Sequence, residues 1–282
     1  MKLPKFIICG AMKSGTTSLH SYLSQHPEIF MPEGRAQETH YFDDPKNYAK
    51  GLNWYEDCFK EAKEKQLIGQ TSPFYMYLDY VPERIYSLLP DAKLLFILRN
   101  PVDRAYSHYW HEWKKNREFK TFERALNLEG KRLEGGSFND LRNYSYLSRG
   151  YYFEQINKYL QFFNKDQIKV VIFEEIKSDL QKNISECYRF LNVDETFLPK
   201  SMGIENATLL PKFRLLKKIL SSNRFSDNIG FLNDIDKKYN RRNHYPMLDE
   251  GVRQSLEKMY FNDIKNLEQL IKKNLKIWYG HV

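Results

Sequence analysis

Four apolar runs short enough to be strands are spaced along the first two thirds of the chain: Phe6 to Cys9, Leu67 to Gly69, Ala92 to Leu98 and Ile168 to Phe173. The third, AKLLFIL, is apolar nearly throughout, as strands buried on both faces of a parallel sheet tend to be. Between the runs, apolar residues recur at helical spacing. Leu19, Tyr22 and Leu23 predict a helix from Ser18 to Gln25 that His26-Pro27 ends. Trp54, Tyr55 and Phe59 predict a helical stretch from Tyr48 to Lys65, and Val81, Ile85, Leu88 and Leu89 predict one from Val81 to Leu89. Further helices are expected over Asp103 to Trp113, Leu147 to Phe163, Gln181 to Leu191 and Leu256 to Leu275.

Strands alternating with helices imply an α/β fold, a parallel sheet flanked by helices on both faces with ligands at the carboxyl ends of its strands. We read residues 1–282 as one domain, with an α/β core over 1–191 and a helix and loop extension over 192–282. A chain of 282 residues that is 41% hydrophobic and 15% aromatic can bury such a core.

Charge changes the picture only mildly. Forty-four basic residues against 36 acidic ones give +8, which favours small anionic partners but is modest for a nucleic-acid binder, so no nucleic-acid partner is expected. Cys9, Cys58 and Cys187 lack metal-ligand or CxxC spacing and read as reduced thiols, so no metal site is expected. No apolar run approaches the ~20 residues that span a bilayer, and no leader precedes the first strand. The expectation is a cytoplasmic protein without a membrane span.

The candidate chemistry begins directly after the first run. Gly10 to Gly15 reads as a loop, and Thr16, Thr17, Ser18 and Leu19 open a helix, giving a strand, phosphate loop, helix unit. Backbone N–H groups at a helix N-terminus converge on one point and bind phosphate or sulfate. Lys13 adds a full charge, but it precedes Gly15, whereas a Walker A loop places its lysine directly after the second glycine. This is a phosphate loop of another kind. The run AKLLFIL ends in Arg99-Asn100-Pro101, where a magnesium-dependent kinase usually needs an acid. An arginine there attracts an anion instead, and Ser107, eight residues on, is near enough to hold the same phosphate group.

Two further features stand out. Glu38 and His40 share one side of the chain if their segment is extended. The run from Lys114 to Arg142 is strongly charged and reads as a helix plus exposed loop, with the option of a lid. Basic clusters follow in a predicted amphipathic helix over Lys212 to Leu220 and at Lys237, Lys238, Arg241, Arg242 and His244.

Taken together, Lys13 to Thr17, Glu38 to Phe42, and Leu98 to Pro101 with Ser107 resemble the sulfotransferases that use 3'-phosphoadenylyl sulfate (PAPS). The likeness is to the branch of the heparan sulfate N- and 3-O-sulfotransferases and their bacterial relatives. The resemblance implies that Lys13, Ser14, Gly15, Thr16 and Thr17 wrap the 5'-phosphosulfate and that Arg99 and Ser107 hold the 3'-phosphate. It implies a donor-closing loop at Lys212, Phe213 and Arg214, a general base at Glu38 and a supporting histidine at His40. PAPS would be the co-substrate, 3'-phosphoadenosine 5'-phosphate (PAP) the product, and the acceptor a carbohydrate or small molecule, possibly anionic. Thr71 stands where the heparan enzymes carry a lysine near the acceptor, which argues against a heparan-like acceptor.

Sulfuryl transfer is an in-line displacement in which charge builds on the leaving oxygen, so a cation such as Lys13 stabilises the transition state while a carboxylate such as Glu38 takes the acceptor's proton. Hydroxyl and amine both remain open as the nucleophile, lipids and small metabolites as acceptors, and the oligomeric state likewise. The competing classes are an ATP-dependent phosphate-loop kinase and a non-catalytic anion-binding module.

Overall fold

A computed structural model describes residues 1–200, 210–211, 241–242 and 245–279. Five strands, β1 (Phe6–Gly10), β2 (Ile29–Phe30), β3 (Leu67–Thr71), β4 (Lys93–Leu98) and β5 (Ile168–Ile172), form one parallel sheet in the order β2-β3-β1-β4-β5. Register pairs Ile8 with Thr71 and Leu98 with Ile172, so the ends of β1, β3, β4 and β5 share one edge. Leu210–Pro211 and Arg241–Arg242 form a separate antiparallel pair.

Side chains alternate along each strand, and the two central strands are apolar on both sides. Ile7 and Cys9 of β1 and Leu94, Phe96 and Leu98 of β4 enter one core, whereas Phe6, Ile8, Leu95 and Ile97 enter the other. The eleven described helices before residue 200 are α1 (Thr16–Ser24), α2 (Pro45–Tyr48), α3 (Gly51–Asp57), α4 (Val81–Leu88), α5 (Pro101–Lys114), α6 (Phe122–Asn127), α7 (Glu129–Leu133), α8 (Phe138–Tyr144), α9 (Tyr152–Tyr159), α10 (Phe173–Ser178) and α11 (Leu180–Leu191). Leu19, Leu23, Ile184 and Tyr188 of α1 and α11 cover the second core. Residues of α3, α4, α5, α9 and the C-terminal helix Glu250–Ile271 cover the first.

Several expectations change. The two-residue strand β2 has no periodicity to announce it. The run Leu67 to Gly69 extends as β3 through Gln70 and Thr71, whose side chains are both buried and satisfied. Gln70 is hydrogen-bonded to Tyr55 and donates to the Tyr75 hydroxyl at 3.0 Å, while Thr71 Oγ1 lies 2.9 Å from His20 Nδ1. The stretch 48–65 is interrupted at Gly51, which adopts φ +79° and starts a new helix. Strand β5 lies at the sheet edge, so only Val171 and Ile172 of its residues are fully buried. Residues 147–151 form a short 3-10 turn before α9 instead of its first turn.

The charged stretch 114–142 is not an exposed loop. It folds into α6, α7 and α8 around two buried carboxylates. Glu118 accepts from the Phe119 and Lys120 N–H groups (2.9 Å each) and from the Tyr146 hydroxyl (3.0 Å), and it pairs with Arg132. Glu129 accepts from Ser148 through both its N–H and its hydroxyl at 2.8 Å. A buried carboxylate with several donors stays ionised and fixes the backbone that supplies them.

The C-terminal residues lock onto the edge where the strands end. Asn100 caps α5 by accepting from Val102 N (2.9 Å), and its amide donates to Trp278 O (3.0 Å). The Trp278 indole donates to Glu174 Oε2 (2.9 Å), whose other oxygen accepts from Asn100 N (3.0 Å). Asn100→Ala removes both the cap and the tether. It should lower unfolding free energy by about 1–2 kcal/mol, read as a reduced denaturation midpoint with an unchanged slope in urea.

Candidate active site

The loop after β1 is shaped to leave donors unused. Gly15 is the N-cap of α1 with φ +98°, and it offers no side-chain acceptor to the first turn. The N–H groups of Thr16, Thr17 and Ser18 therefore have no acceptor within the helix and carry its partial positive charge. A Cβ at Gly15 would sit 2.8 Å from the Phe173 ring, so both the left-handed backbone and the close approach require glycine. By contrast, Asn100 fills the same role at α5 and occupies that helix's first N–H groups. Of these two helix starts, only that of α1 leaves its first N–H groups without a side-chain cap.

These residues line a cleft of about 430 Å³ at the carboxyl edge of the sheet. Of the five predicted loop positions, Lys13, Gly15, Thr16 and Thr17 face it. Ser14 does not: its side chain is fully buried near the Tyr152 hydroxyl and its N–H donates to Ala11 O at 3.1 Å. Arg99 and Ser107 reach the same cleft from the end of β4 and from α5. The Arg99 guanidinium lies over the Phe173 ring at 5.2 Å, and the Ser107 hydroxyl is 3.2 Å from the Tyr245 hydroxyl. Lys212, Phe213 and Arg214 lie outside the described residues.

Helical spacing brings more of α5 to the cleft. Residues 107, 111, 114 and 115 share a face, and His111, Lys114 and Lys115 join Ser107 in the lining. That periodicity was available in the sequence once Ser107 was chosen. Arg117, Arg142 and Phe173 also line the cleft, and nothing local in the sequence marks them, because they arrive from the ends of other elements.

The electrostatics follow from this crowding. Among the described residues the lining holds six lysine and arginine cations, Lys13, Arg99, Lys114, Lys115, Arg117 and Arg142, together with His40, against two carboxylates, Glu38 and Glu112. Burial, then Arg99, Lys115 and Lys114, pull the Lys13 pKa down to about 8, with Glu112 opposing. Burial, then Lys13, Lys115, Arg117 and Lys114, depress His111 to about 3, so it stands as a neutral imidazole.

Across the cleft, Glu38 and His40 do come together, though not on a strand. The segment turns, His40 adopts φ +50°, and its ring nitrogens meet two carboxylates: Nδ1 lies 2.8 Å from Asp43 Oδ2 and Nε2 lies 3.4 Å from Glu38 Oε2. Arg142 Nη2 is 3.3 Å from the same Nε2. Burial works against the His40 charge, but Asp43 and Glu38 overcome it and raise the pKa to about 9. The imidazolium therefore persists at neutral pH and orients Glu38. Thr71 has no part in the lining, since its side chain is turned under α1 toward His20. Such an arrangement can hold a polyanion against the loop and present a carboxylate opposite it.

The family model for the sulfotransferase domain matches residues 3–208. The human bifunctional heparan sulfate N-deacetylase/N-sulfotransferase 2 is 31% identical over 203 residues, covering 68% of this chain and 22% of that protein. The mouse heparan sulfate glucosamine 3-O-sulfotransferase 5 is 31% identical over 196 residues, covering 68% and 54%. The chain thus spans between about a fifth and about half of the length of these relatives. Among solved structures, a sulfotransferase from Alicyclobacillus acidocaldarius superposes with a TM-score of 0.75 at 28% identity, over 99% of this chain and 100% of that one. A mouse sulfotransferase complexed with PAP shares the fold, with a TM-score of 0.54 at 15% identity over 95% and 87%.

Two outcomes follow for anion binding. Lys13 is a cation below its pKa of about 8, so affinity for sulfate, whose own charge is constant here, should be flat to about pH 7 and fall roughly tenfold by about pH 9 in an NMR titration. Gly15→Ala should abolish sulfate binding in the same titration, because the loop must move away from Phe173 to accept the methyl group.

Proposed function

The chain belongs to the sulfotransferase domain family, and on that premise we propose that it transfers a sulfuryl group from PAPS to a hydroxyl or amine of a carbohydrate acceptor, releasing PAP. The observation that carries the proposal is the opposition within one cleft of an uncapped, lysine-bearing helix N-terminus and a carboxylate held by an imidazolium. Gly15, Thr16 and Thr17 bind the phosphosulfate through backbone N–H groups and hydroxyls. Lys13 stabilises the charge that develops on the bridging oxygen as the S–O bond to the nucleotide breaks. Arg99 and Ser107 hold the 3'-phosphate, with Arg99 kept in place by the Phe173 ring.

On the acceptor side, Glu38 takes the proton as the new S–O or S–N bond forms, and the pair of electrons leaves with PAP. His40 touches Glu38 and not the loop, so it acts as a positioning residue: its imidazolium, fixed by buried Asp43, keeps the Glu38 carboxylate aimed. The heparan relatives act on amines in one case and hydroxyls in the other by their names, and both fit a carboxylate base. Among the described residues no helix is long and apolar enough to cross a membrane.

An ATP-dependent kinase would need an acid where Arg99 stands, and a binding module would be indifferent to Glu38. Glu38→Gln should lower sulfuryl transfer from labelled PAPS by about 10²–10⁴-fold while PAP binding, measured by calorimetry, stays within about twofold of the parent. Unchanged turnover would remove Glu38 from the base role. PAP should also bind far more tightly than ATP with magnesium, and the reverse order would sink the donor assignment.

A further inference from the structure

A second cavity, also about 430 Å³, opens on the far side of Glu38, and Glu38 is the one described residue that lines both. Its character is opposite to that of the cation-rich cleft. Glu33, Glu38, Asp57 and Glu61 face it against Lys50 and Lys60, and Lys60 is already paired with Asp57 at 3.2 Å. Helix α3 supplies an aromatic wall, the half-buried indole of Trp54. The Lys50 ammonium sits 4.2 Å from the centroid of that indole and donates to Asn47 Oδ1 at 2.7 Å. The wall thus already forms a seat for an ammonium, combining a π face with an amide oxygen, beside uncompensated carboxylates. Lys50 is exposed and its long stem rotates freely, so a ligand cation can displace it at small cost.

We propose that this cavity is an acceptor subsite for an amine-bearing sugar residue. The ring lies against Trp54, its ammonium replaces that of Lys50 beside Asn47, and the neighbouring residue of the saccharide presents its nucleophile to Glu38 at the junction. The volume is that of a small-molecule pocket, and an aromatic plane with a few polar groups at its rim suits a ring with an apolar face and polar edges. The donor cleft repels the same ammonium through its six cations, which fixes the direction in which the saccharide lies. The proposal rests on the sulfuryl-transfer reading only in taking Glu38 as the meeting point of donor and acceptor.

The test is a titration of the full chain, with and without PAP, by glucosamine tetrasaccharide and by its fully N-acetylated counterpart, at mildly acidic pH where the amine is charged. The amine form should bind at least about tenfold more tightly. Lys50→Met, a surface change that leaves the fold intact, should strengthen the amine form several-fold by removing the internal competitor. Trp54→Ala should weaken it about tenfold or more, with the Kd of PAP unaltered in both variants. Equal or tighter binding of the acetylated form, or an amine affinity indifferent to Lys50→Met, overturns the subsite. Failure of PAP to bind, with the saccharide pattern intact, would instead overturn the donor assignment and leave the subsite standing.

Discussion

Burial, and then Arg99, Lys115 and Lys114 beside it, weaken the hold of Lys13 on its proton, with Glu112 the carboxylate that offsets them. Such crowding opposes folding, and the scaffold bears it through rigid elements: a loop that only glycine can turn against Phe173, a strand end braced by Glu174, and a long helix capped by Asn100. On the proposed chemistry, cations already fixed in place need not reorganise as charge grows at the leaving oxygen, which is the condition for favouring a transition state over a ground state.

The opposite wall is built on a different principle. Charges there alternate in sign from the core outward, from fully buried Asp43 to the His40 imidazolium to Glu38, while Arg142 lies against the same His40 nitrogen and opposes its charge. The two carboxylates outweigh burial and Arg142 at His40, so the imidazolium stands between them as a fixed partner for each. The left-handed His40 is the geometric means, since it lets one imidazole reach both acids within a six-residue turn. An extended segment would have placed Glu38 and His40 on one side but left Asp43 on the other.

Much of this was legible in the sequence, and the unreadable part has a common cause. The strands β1 and β4 are written in runs apolar on both faces, and the phosphate loop in the order of its lysine and glycine. That Arg99 and Ser107 share a cleft with the loop is legible because a strand end and a helix face are local patterns. That the Ser14 side chain turns beneath the loop is not, because spacing cannot distinguish the two directions. The segment 114–142 looked exposed because Glu118 and Glu129 carry charge, and only their partners, Arg132, Tyr146 and Ser148, make burial affordable. Phe173 and Arg142 depend on contacts between elements far apart in the chain, for which periodicity offers no signal.

The match to the family model ends at residue 208, yet the fold does not. Leu256, Tyr260, Ile264, Leu267 and Trp278 belong to the same core as Ile7 and Leu94. Asp263 accepts from Phe153 N at 3.1 Å and Glu154 N at 3.4 Å, satisfying the first turn of α9, and Tyr260 reaches Leu147 O at 2.9 Å. The triangle of Asn100, Glu174 and Trp278 closes the edge that carries Arg99. Ser107 in turn meets Tyr245. Residues beyond that match therefore brace the edge and meet the hydroxyl that are proposed to hold the 3'-phosphate. On that proposal, variation in the C-terminal stretch retunes donor binding while every motif residue stays unchanged, because the motif supplies the charges and the later residues fix the distances between them.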